Sequence, residues 1–557
     1  MAAARGYQIC STSHIGDTWI LDRRWKLCPR QLELSSSRCG SFVPLRKHLS
    51  VSRVDSKFNP RDGSRFFGIK VHLEEESETS EDSDQANAKV EVSKATKQPP
   101  SRISDWDLSW LPVLPHVVTA AMANFLFGYH IGIINGPLVS IAKELKFEGN
   151  TLLEGFVVSI FIVGAFVGSI SGGVLSDAVG RRRTFQICAI PLVLGAALSA
   201  SAGSVDAVIL GRLLVGIGIG VNTALVPLYI SEIAPTKYRG ALGSLCQIGT
   251  CTGLIAALIF GIPAETDPHW WRTMFWVATL PGLLLIVGMQ YAVESPRWLG
   301  NVGKWDDASS TIEKLWGKEN VEEAIKELRN ANINKEEEAS WSELLTKRYF
   351  KVASIGGALF ALQQFAGING VLYFSSSNFQ DAGITNSIAA SAAVGFSNLA
   401  GAFVASSLMD SQGRRKLLMG SYTGMALSIA LMVSALNIPM EEQLSHTFSV
   451  VGNLTYVFTF ALGAGPVTAL IIPEMCSTRI RAKALAVSLC VHWVCNFAIG
   501  LLFLEFVQRF GLSAVYTSFG VVSLLSVLFT NLYIIETKGR SLEEIEKILL
   551  GSESGLN

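Results

Sequence analysis

Residues 177–182 read Asp-Ala-Val-Gly-Arg-Arg, and residues 410–415 read Asp-Ser-Gln-Gly-Arg-Arg. Further charged patterns repeat in the same order along the chain: Glu232 with Arg239 and Glu474 with Arg481, then Glu294-Ser-Pro-Arg297 and Glu536-Thr-Lys-Gly-Arg540. Three charged patterns in register are a signature of internal duplication. The sequence therefore predicts two homologous halves.

Each repeated pattern lies among long apolar segments. From Leu111 onward, apolar stretches of about 20 residues recur, which is the length needed to cross a hydrocarbon core roughly 30 Å thick. We predict helices near 113–136, 154–176, 185–203, 207–230, 240–262 and 273–293, and near 351–376, 387–409, 416–437, 447–472, 482–507 and 513–535. This pattern predicts an all-α membrane protein with twelve transmembrane helices in two pseudo-symmetric six-helix bundles, a transporter architecture.

Composition excludes several function classes. Lys and Arg number 46, as do Asp and Glu, so the chain has no basic excess for nucleic acid. The nine cysteines have no metal-ligand spacing, and we expect neither a metal nor a cofactor. A membrane-embedded enzyme would need a cluster of His, Asp or Cys, or a nucleophile–base pair, within the spans, and the sequence contains none.

The amino-terminal segment is polar. Residues 1–70 are rich in Ser and Arg and poor in acids, a composition typical of an organellar transit peptide, and an acidic run follows. A disordered cytosolic tail is the alternative interpretation. The predicted division is 1–104 for the transit peptide and acidic linker, 105–295 for the first bundle, 296–350 for a helical surface loop, 351–540 for the second bundle and 541–557 for a tail.

Basic residues mark alternate loops between the predicted helices. By the positive-inside rule, both termini and the 296–350 loop share this basic side. Acids accompany these bases, although acids contribute little to membrane topology. We therefore expect the charges to form ionic latches between the two bundles. The alternative is that they only set the topology of the chain. The predicted gating residues are Asp177, Arg181, Arg182, Glu232, Arg239, Glu294, Arg297, Asp410, Arg414, Arg415, Glu474, Arg481 and Glu536.

Several carboxamides lie in the middle of predicted spans. A polar side chain at that depth is a functional candidate, although amides also join helices to each other. Amides offer both donors and acceptors, as an uncharged polyol requires. The candidates are Gln247, Gln363, Gln364, Asn369, Asn398 and Asn496.

Longer motifs resemble those of a known family. The stretches 227–240 (Pro-Leu-Tyr-Ile-Ser-Glu-Ile-Ala-Pro-Thr-Lys-Tyr-Arg-Gly), 294–298 (Glu-Ser-Pro-Arg-Trp) and 363–369 (Gln-Gln-Phe-Ala-Gly-Ile-Asn) resemble the sugar porter family of the major facilitator superfamily. With the transit-like leader, the chain resembles the plastidic glucose transporters of plants within that family. The resemblance implies the major facilitator fold, the plastid inner envelope and a neutral sugar such as glucose as substrate, with membrane lipid around the protein and no obligate protein partner.

The resemblance also assigns residue roles. It implies that the six amides contact sugar, that Trp493 forms an apolar wall and that Arg212 belongs with the gating charges. Proton-coupled members have an Asp where this chain has His130, so we expect a facilitator, with His130 as the possible coupling group.

Alternatives stay open on substrate and mode. Ala469 replaces a family Trp and His492 replaces an Asn, so another neutral sugar or a polyol remains an alternative to glucose. A proton-coupled symporter and a sugar sensor without flux are further alternatives.

Overall fold

The computed structural model describes residues 109–545 except 236, 266, 334–339, 382, 384–386, 477–479 and 539–543. The predicted leader and linker, residues 1–104, and nearly all of the predicted tail, residues 541–557, lie outside the described residues, as does the side chain of Asp410. Within the described part the architecture is helical.

The first half contains six long helices and one short one. They are α1 (Leu114–Gly132), α2 (Leu138–Glu144), α3 (Thr151–Val179), α4 (Arg181–Ala200), α5 (Val205–Ile233), α6 (Arg239–Phe260) and α7 (Trp270–Tyr291). The long helices pack closely because glycines allow backbones to meet: a Cβ on Gly216 of α5 would overlap the carbonyl oxygen of Phe161 in α3.

A surface segment connects the halves. It contains α8 (Pro296–Asn301), α9 (Trp305–Trp316) and α10 (Val321–Ile333). The predicted helical loop over 296–350 is divided into short helices, and α9 ends at Gly317, whose φ is +85°. The indole of Trp316 donates to the carbonyl oxygen of Ile233 at 2.9 Å, which attaches α9 to the end of α5.

The second half repeats the first with two irregular spans. Its helices are α11 (Lys347–Phe365), α12 (Ile368–Tyr373), α13 (Ser375–Asp381), α14 (Ser387–Gln412), α15 (Arg414–Asn437), α16 (Glu442–Thr459), α17 (Gly465–Met475), α18 (Arg481–Phe510) and α19 (Leu512–Tyr533). Together α11 and α12 form one span interrupted at Gly367, and a π-helical turn at Phe460–Ala464 joins α16 to α17.

The twelve-helix bundle predicted from the sequence is confirmed. Eleven helical stretches of the described chain are long and apolar enough to cross a membrane, and α1, which packs on α6, is the twelfth helix. Helices extend a few residues beyond the predicted ends because Arg181, Arg239, Arg414 and Arg481 begin helices instead of lying in loops. The ends of the bundle that carry these arginines are called the basic surface below, and the other ends the opposite surface.

Candidate functional site

The centre of the second half contains a connected set of amides where the α11–α12 span is interrupted. Gly367 has a φ of +97°, a conformation that glycine adopts readily and other residues rarely. This break turns the chain so that Asn369, at the start of α12, reaches back to α11 and donates its Nδ2 hydrogen to Oε1 of Gln364. The interruption therefore brings together amides that a straight helix would separate.

Two neighbouring helices complete this network. Nε2 of Gln363 donates to the carbonyl oxygen of Ala464 at 2.6 Å. Ala464 is the last residue of the π-helical turn. Nε2 of Gln364 lies 3.1 Å from Oε1 of Gln363 and 2.9 Å from Nδ1 of His492 on α18. π-Helical turns are rare and frequently occur at functional sites. We call Gln363, Gln364, Asn369 and His492 the amide cluster.

The two predicted residues of α18, Trp493 and Asn496, lie beside the amide cluster. Oδ1 of Asn496 accepts a hydrogen bond from the hydroxyl of Tyr373 at 3.2 Å. The ring of Trp493 lies 4.9 Å from that of His492, edge to face. Trp493 is buried, and its indole nitrogen has no hydrogen-bond partner in the described part of the chain.

The structure does not connect Gln247 and Asn398 to the amide cluster. Gln247 is an exposed residue of α6, and its Nε2 lies 3.6 Å from Sγ of Cys251. Asn398 is buried in α14, and its Oδ1 has no partner among the described residues. Both helices contribute to the contact between the halves, where Gly395 of α14 meets Ile255 of α6.

Sequence reasoning left two residues of this region out of the predicted site. From the sequence, His492 is notable only as a departure from the family pattern, and Tyr373 carries no prediction. A histidine in mid-span is costly to bury, which was the available signal for His492. No sequence signal separates Tyr373 from other aromatic residues of the spans.

The charges at the basic surface of the first half converge on Arg181. Its Nε lies 2.9 Å from Oε2 of Glu232, and its Nη1 lies 2.9 Å from Oδ1 of Asp177. The carboxylate of Glu294 accepts the backbone N–H groups of Arg181 at 2.9 Å and of Arg182 at 3.2 Å, at the amino end of α4. Burial raises the pKa of Glu294, while these N–H groups and Arg181 favour its charged form.

The second half repeats this arrangement. Nη2 of Arg414 lies 3.2 Å from Oε1 of Glu474, and the carboxylate of Glu536 accepts the backbone N–H groups of Arg414 at 2.9 Å and of Arg415 at 3.2 Å. Arg481 donates to the carbonyl oxygen of Cys476, also in its own half. For Arg239 and Arg297 the structure gives only positions, at the start of α6 and within α8.

These ion pairs lie within each half. The sequence predicts that acids and bases latch the two bundles to each other, and this stays a prediction, since each pair that the described residues form here joins helices of one half. The physical reason is proximity: each Arg at a helix start faces the carboxylates at the ends of the adjacent helices of its own bundle.

Contacts between the halves lie toward the opposite surface. Nδ2 of Asn135, after α1, donates to the carbonyl oxygen of Leu372 at 2.8 Å and to the hydroxyl of Ser375 at 2.6 Å, and its Oδ1 accepts from the backbone of Ser376 at 3.0 Å. Oγ1 of Thr151 donates to Oε2 of Glu505 at 2.5 Å. We call these contacts the opposite-surface clasp, which sequence reasoning missed.

Arg212 lies away from the basic surface and from the other predicted gating charges, and its gating role stays a prediction. It is the eighth residue of α5, which begins at the opposite surface, and only 1% of it is exposed. Its Nη2 donates to the carbonyl oxygen of Val158 at 3.0 Å, and its guanidinium lies 4.9 Å from the ring centre of Phe161.

His130 lies close enough to Arg212 for the two to interact electrostatically. It is 1% exposed, and neither ring nitrogen has a partner in the part of the chain that the structure describes.

Two pseudo-symmetric six-helix bundles around a buried polar network are the architecture of a major facilitator transporter. The chain belongs to the family described as "Sugar (and other) transporter", whose model matches residues 116–549. The predicted family resemblance is therefore confirmed.

Named relatives lie in the same family. "Probable plastidic glucose transporter 1" of Arabidopsis thaliana is 60% identical over 80% of this chain and 86% of its own length. "Plastidic glucose transporter 4" of the same plant is 52% identical over 78% and 80%. The xylose transporter XylE from E. coli in its inward-open conformation has a TM-score of 0.67 and 27% identity, covering 77% of this chain and 98% of that chain.

Proposed function

We propose that this chain transports glucose across a plastid envelope membrane by alternating access. The observation that carries the proposal is the amide cluster, buried at the interrupted α11–α12 span of a sugar transporter chain. Relatives named as plastidic glucose transporters support glucose as the sugar and the plastid as the location.

The amide cluster suits a polyol because its hydrogen bonds are exchangeable. Gln364 bonds to Gln363 and His492, and Gln363 also donates to the carbonyl oxygen of Ala464, so these groups can turn to the hydroxyls of a sugar. Each exchanged hydrogen bond contributes about 1 kcal/mol, so four or so correspond to millimolar affinity. Asn496, Gln247 and Asn398 add further amides, and Trp493 supplies the apolar wall.

Alternating access follows from the contacts between the halves. The opposite-surface clasp holds the bundles together at one surface, while the ion pairs of the basic surface stay within each half. These contacts favour a conformation that is closed at the opposite surface. Breaking the clasp and bringing the basic ends together opens the other side, with Arg181 and Arg414 keeping the helix ends of each half rigid.

The leader supports the plastid location. Residues 1–104 have transit-peptide composition, and cleavage in the stroma would leave the amino terminus and the basic surface on the stromal side of the inner envelope. Import of the full chain into isolated chloroplasts, followed by envelope fractionation, tests this, and recovery outside the inner envelope contradicts it.

Glucose specificity is tested with purified protein in proteoliposomes. Labelled glucose uptake should be saturable and should be reduced by unlabelled glucose more than by xylose, maltose or a polyol. If one of those compounds competes more strongly than glucose, that compound and not glucose is the preferred substrate.

The proposed mode is facilitated transport because the position that holds an Asp in proton-coupled members of the family holds His130 in this chain, and that side chain is buried. Uptake with an imposed pH gradient should equilibrate glucose without accumulating it. Gradient-driven accumulation would establish the alternative, a proton-coupled symporter.

A further inference from the structure

An apolar groove lies on the second half, outside the amide cluster. It has a cavity volume of about 390 Å³ between α11, the start of α18 and the turn before α11. The residues that define it are Leu344, Ala353, Gly357, Ala361, Val487 and Val491. Small residues on α11 create the space, since a Cβ on Gly357 would meet only Cγ2 of Val491, at 3.5 Å.

The groove faces lipid rather than the interior of the bundle. Gly356, on an adjacent face of α11, packs against Ser488 and Ile472, so the inward face is already filled. Val494 continues the line of Val487 and Val491 along α18 and is 60% exposed in mid-span. A large apolar side chain exposed at that depth contacts hydrocarbon.

The length of the groove corresponds to one leaflet. It extends along α11 from Phe350 to Ala361, and eleven residues of α-helix rise about 16 Å. Half of a hydrocarbon core is about 15 Å. An acyl chain therefore fits along the groove from the basic surface to the middle of the membrane.

A cationic and aromatic pair lies at the mouth of the groove. Lys483 precedes Val487 by one helical turn, and its Nζ lies 5.8 Å from the ring centre of Trp341. Trp341 is 60% exposed, and tryptophan is enriched at the level of lipid headgroups. Lysine at this level attracts anionic headgroups.

We propose that this groove binds one anionic phospholipid, phosphatidylglycerol, with an acyl chain along Gly357 and Val491 and its phosphate beside Lys483 and Trp341. The charge of Lys483 distinguishes this occupant from a zwitterionic lipid, whose phosphate is already neutralised by its own amine. Bound lipid fills the space between α11 and α18, the two helices that carry Gln364 and His492, and thereby supports the amide cluster from outside.

The test uses the purified full chain in detergent, with phosphatidylglycerol or phosphatidylcholine titrated in. Bound lipid is counted by native mass spectrometry, and the thermal unfolding midpoint is recorded. The variants are Lys483→Gln, which removes the charge, and Gly357→Leu, which fills the groove. The matched controls are Lys416→Gln, an exposed lysine at the start of α15, and Gly420→Leu, where a Cβ would meet no atom.

Wild type and both controls should retain phosphatidylglycerol in preference to phosphatidylcholine. Phosphatidylglycerol should also raise their unfolding midpoints more than phosphatidylcholine does. Lys483→Gln should weaken phosphatidylglycerol binding roughly fivefold, the contribution of one basic residue near an anionic headgroup. Gly357→Leu should abolish the bound lipid. Equal retention of the two lipids by wild type, or unchanged binding by Lys483→Gln, overturns the proposal even if Gly357→Leu does not fold.

Discussion

At the scale of single residues, Gln364 is the most connected member of the amide cluster. It contacts Gln363, Asn369 and His492, so it joins α11, α12 and α18. A ligand that bonds to the cluster therefore has to displace at least one partner of Gln364. Its role in sugar binding is a proposal that a substitution tests directly.

Gln364→Ala should reduce glucose transport at least roughly tenfold, the equivalent of about 1.4 kcal/mol of lost binding. Membrane insertion should be unaffected, because the replaced group contacts other side chains and no lipid. The measurement is initial uptake rate in proteoliposomes at matched protein content. Gln186→Ala is the control, since Gln186 of α4 bonds to Gln290 and the carbonyl oxygen of Ile286 within its own half. Unchanged uptake by Gln364→Ala would remove α11 from the binding site.

A second residue-scale prediction concerns Glu144 at the opposite surface. Burial raises its pKa, but hydrogen bonds from Arg272 at 2.8 Å and from Trp271 at 2.8 Å outweigh burial and hold the pKa below its ordinary value of 4.5. A lowered folded-state pKa means that ionised Glu144 stabilises the fold above pH 4.5, and that this contribution is lost as the pH falls through the folded-state value.

Glu144→Gln should therefore lower the unfolding midpoint at pH 7, and the difference from wild type should shrink below pH 4.5. Thermal unfolding across pH 3–8 measures both. Glu442→Gln is the control because Glu442, also an acid near the opposite surface, is exposed. If the difference in unfolding midpoint between wild type and Glu144→Gln stays constant with pH, the charge of Glu144 contributes nothing to stability.

At the scale of elements, the interruption between α11 and α12 is the feature on which the site depends. Gly367 combines positive φ with a close approach to the ring of Phe519, which occupies the place where a Cβ would lie. The hydroxyl of Tyr456 donates to the carbonyl oxygen of Ala366 at 2.7 Å, satisfying a backbone acceptor that the interruption leaves free. Both contacts fix the angle at which α12 leaves α11.

Gly367→Ala should destabilise the protein by more than about 1 kcal/mol, because alanine is strained at positive φ and its Cβ meets Phe519. Glucose uptake should fall with it, since Asn369 loses its position next to Gln364. Gly243→Ala in α6, where a Cβ meets no atom, should leave stability unchanged or slightly raised. Equal unfolding midpoints for the two variants would show that the interruption does not need glycine.

At the scale of the whole molecule, the two surfaces use different interactions. Ion pairs at the basic surface hold neighbouring helices of one half together, whereas neutral hydrogen bonds of Asn135 hold the two halves to each other at the opposite surface. Neutral hydrogen bonds contribute about 1 kcal/mol each, a scale suited to a contact that has to break in every transport cycle. The clasp is therefore the contact most sensitive to a single substitution.

Asn135→Ala removes three hydrogen bonds between the halves and should shift the population toward the conformation open at the opposite surface. Spin labels at Leu152 and Phe510, introduced in a background without the native cysteines, report the separation of α3 and α18 at that surface. The fraction of long distances should rise severalfold. Asn437→Ala, whose partner Ser513 lies in the same half, should leave the distances unchanged. The clasp proposal fails if Asn135→Ala gives the wild-type distribution.

Much of this architecture can be predicted from the sequence alone. The twelve spans and the basic side followed from hydrophobic lengths and loop charges, because a bilayer sets the length of each span and the side of the basic loops, and the two halves followed from the repeated charged motifs. The mid-span position of Gln363, Gln364 and Asn369 was likewise visible, since amides are rare there. Their mutual hydrogen bonds were not, because these depend on the turn at Gly367.

By itself the sequence determined that this chain is a duplicated twelve-helix membrane protein of the sugar transporter family, with its amides and charges at known depths. Only the tertiary structure decided which of them meet: Arg181 with Glu232 inside one half, Arg212 beside His130, and Asn135 across the halves. Depth follows from position along one helix, a local property of the chain. Partners depend on how helices far apart in sequence rotate and pack, which local patterns do not record.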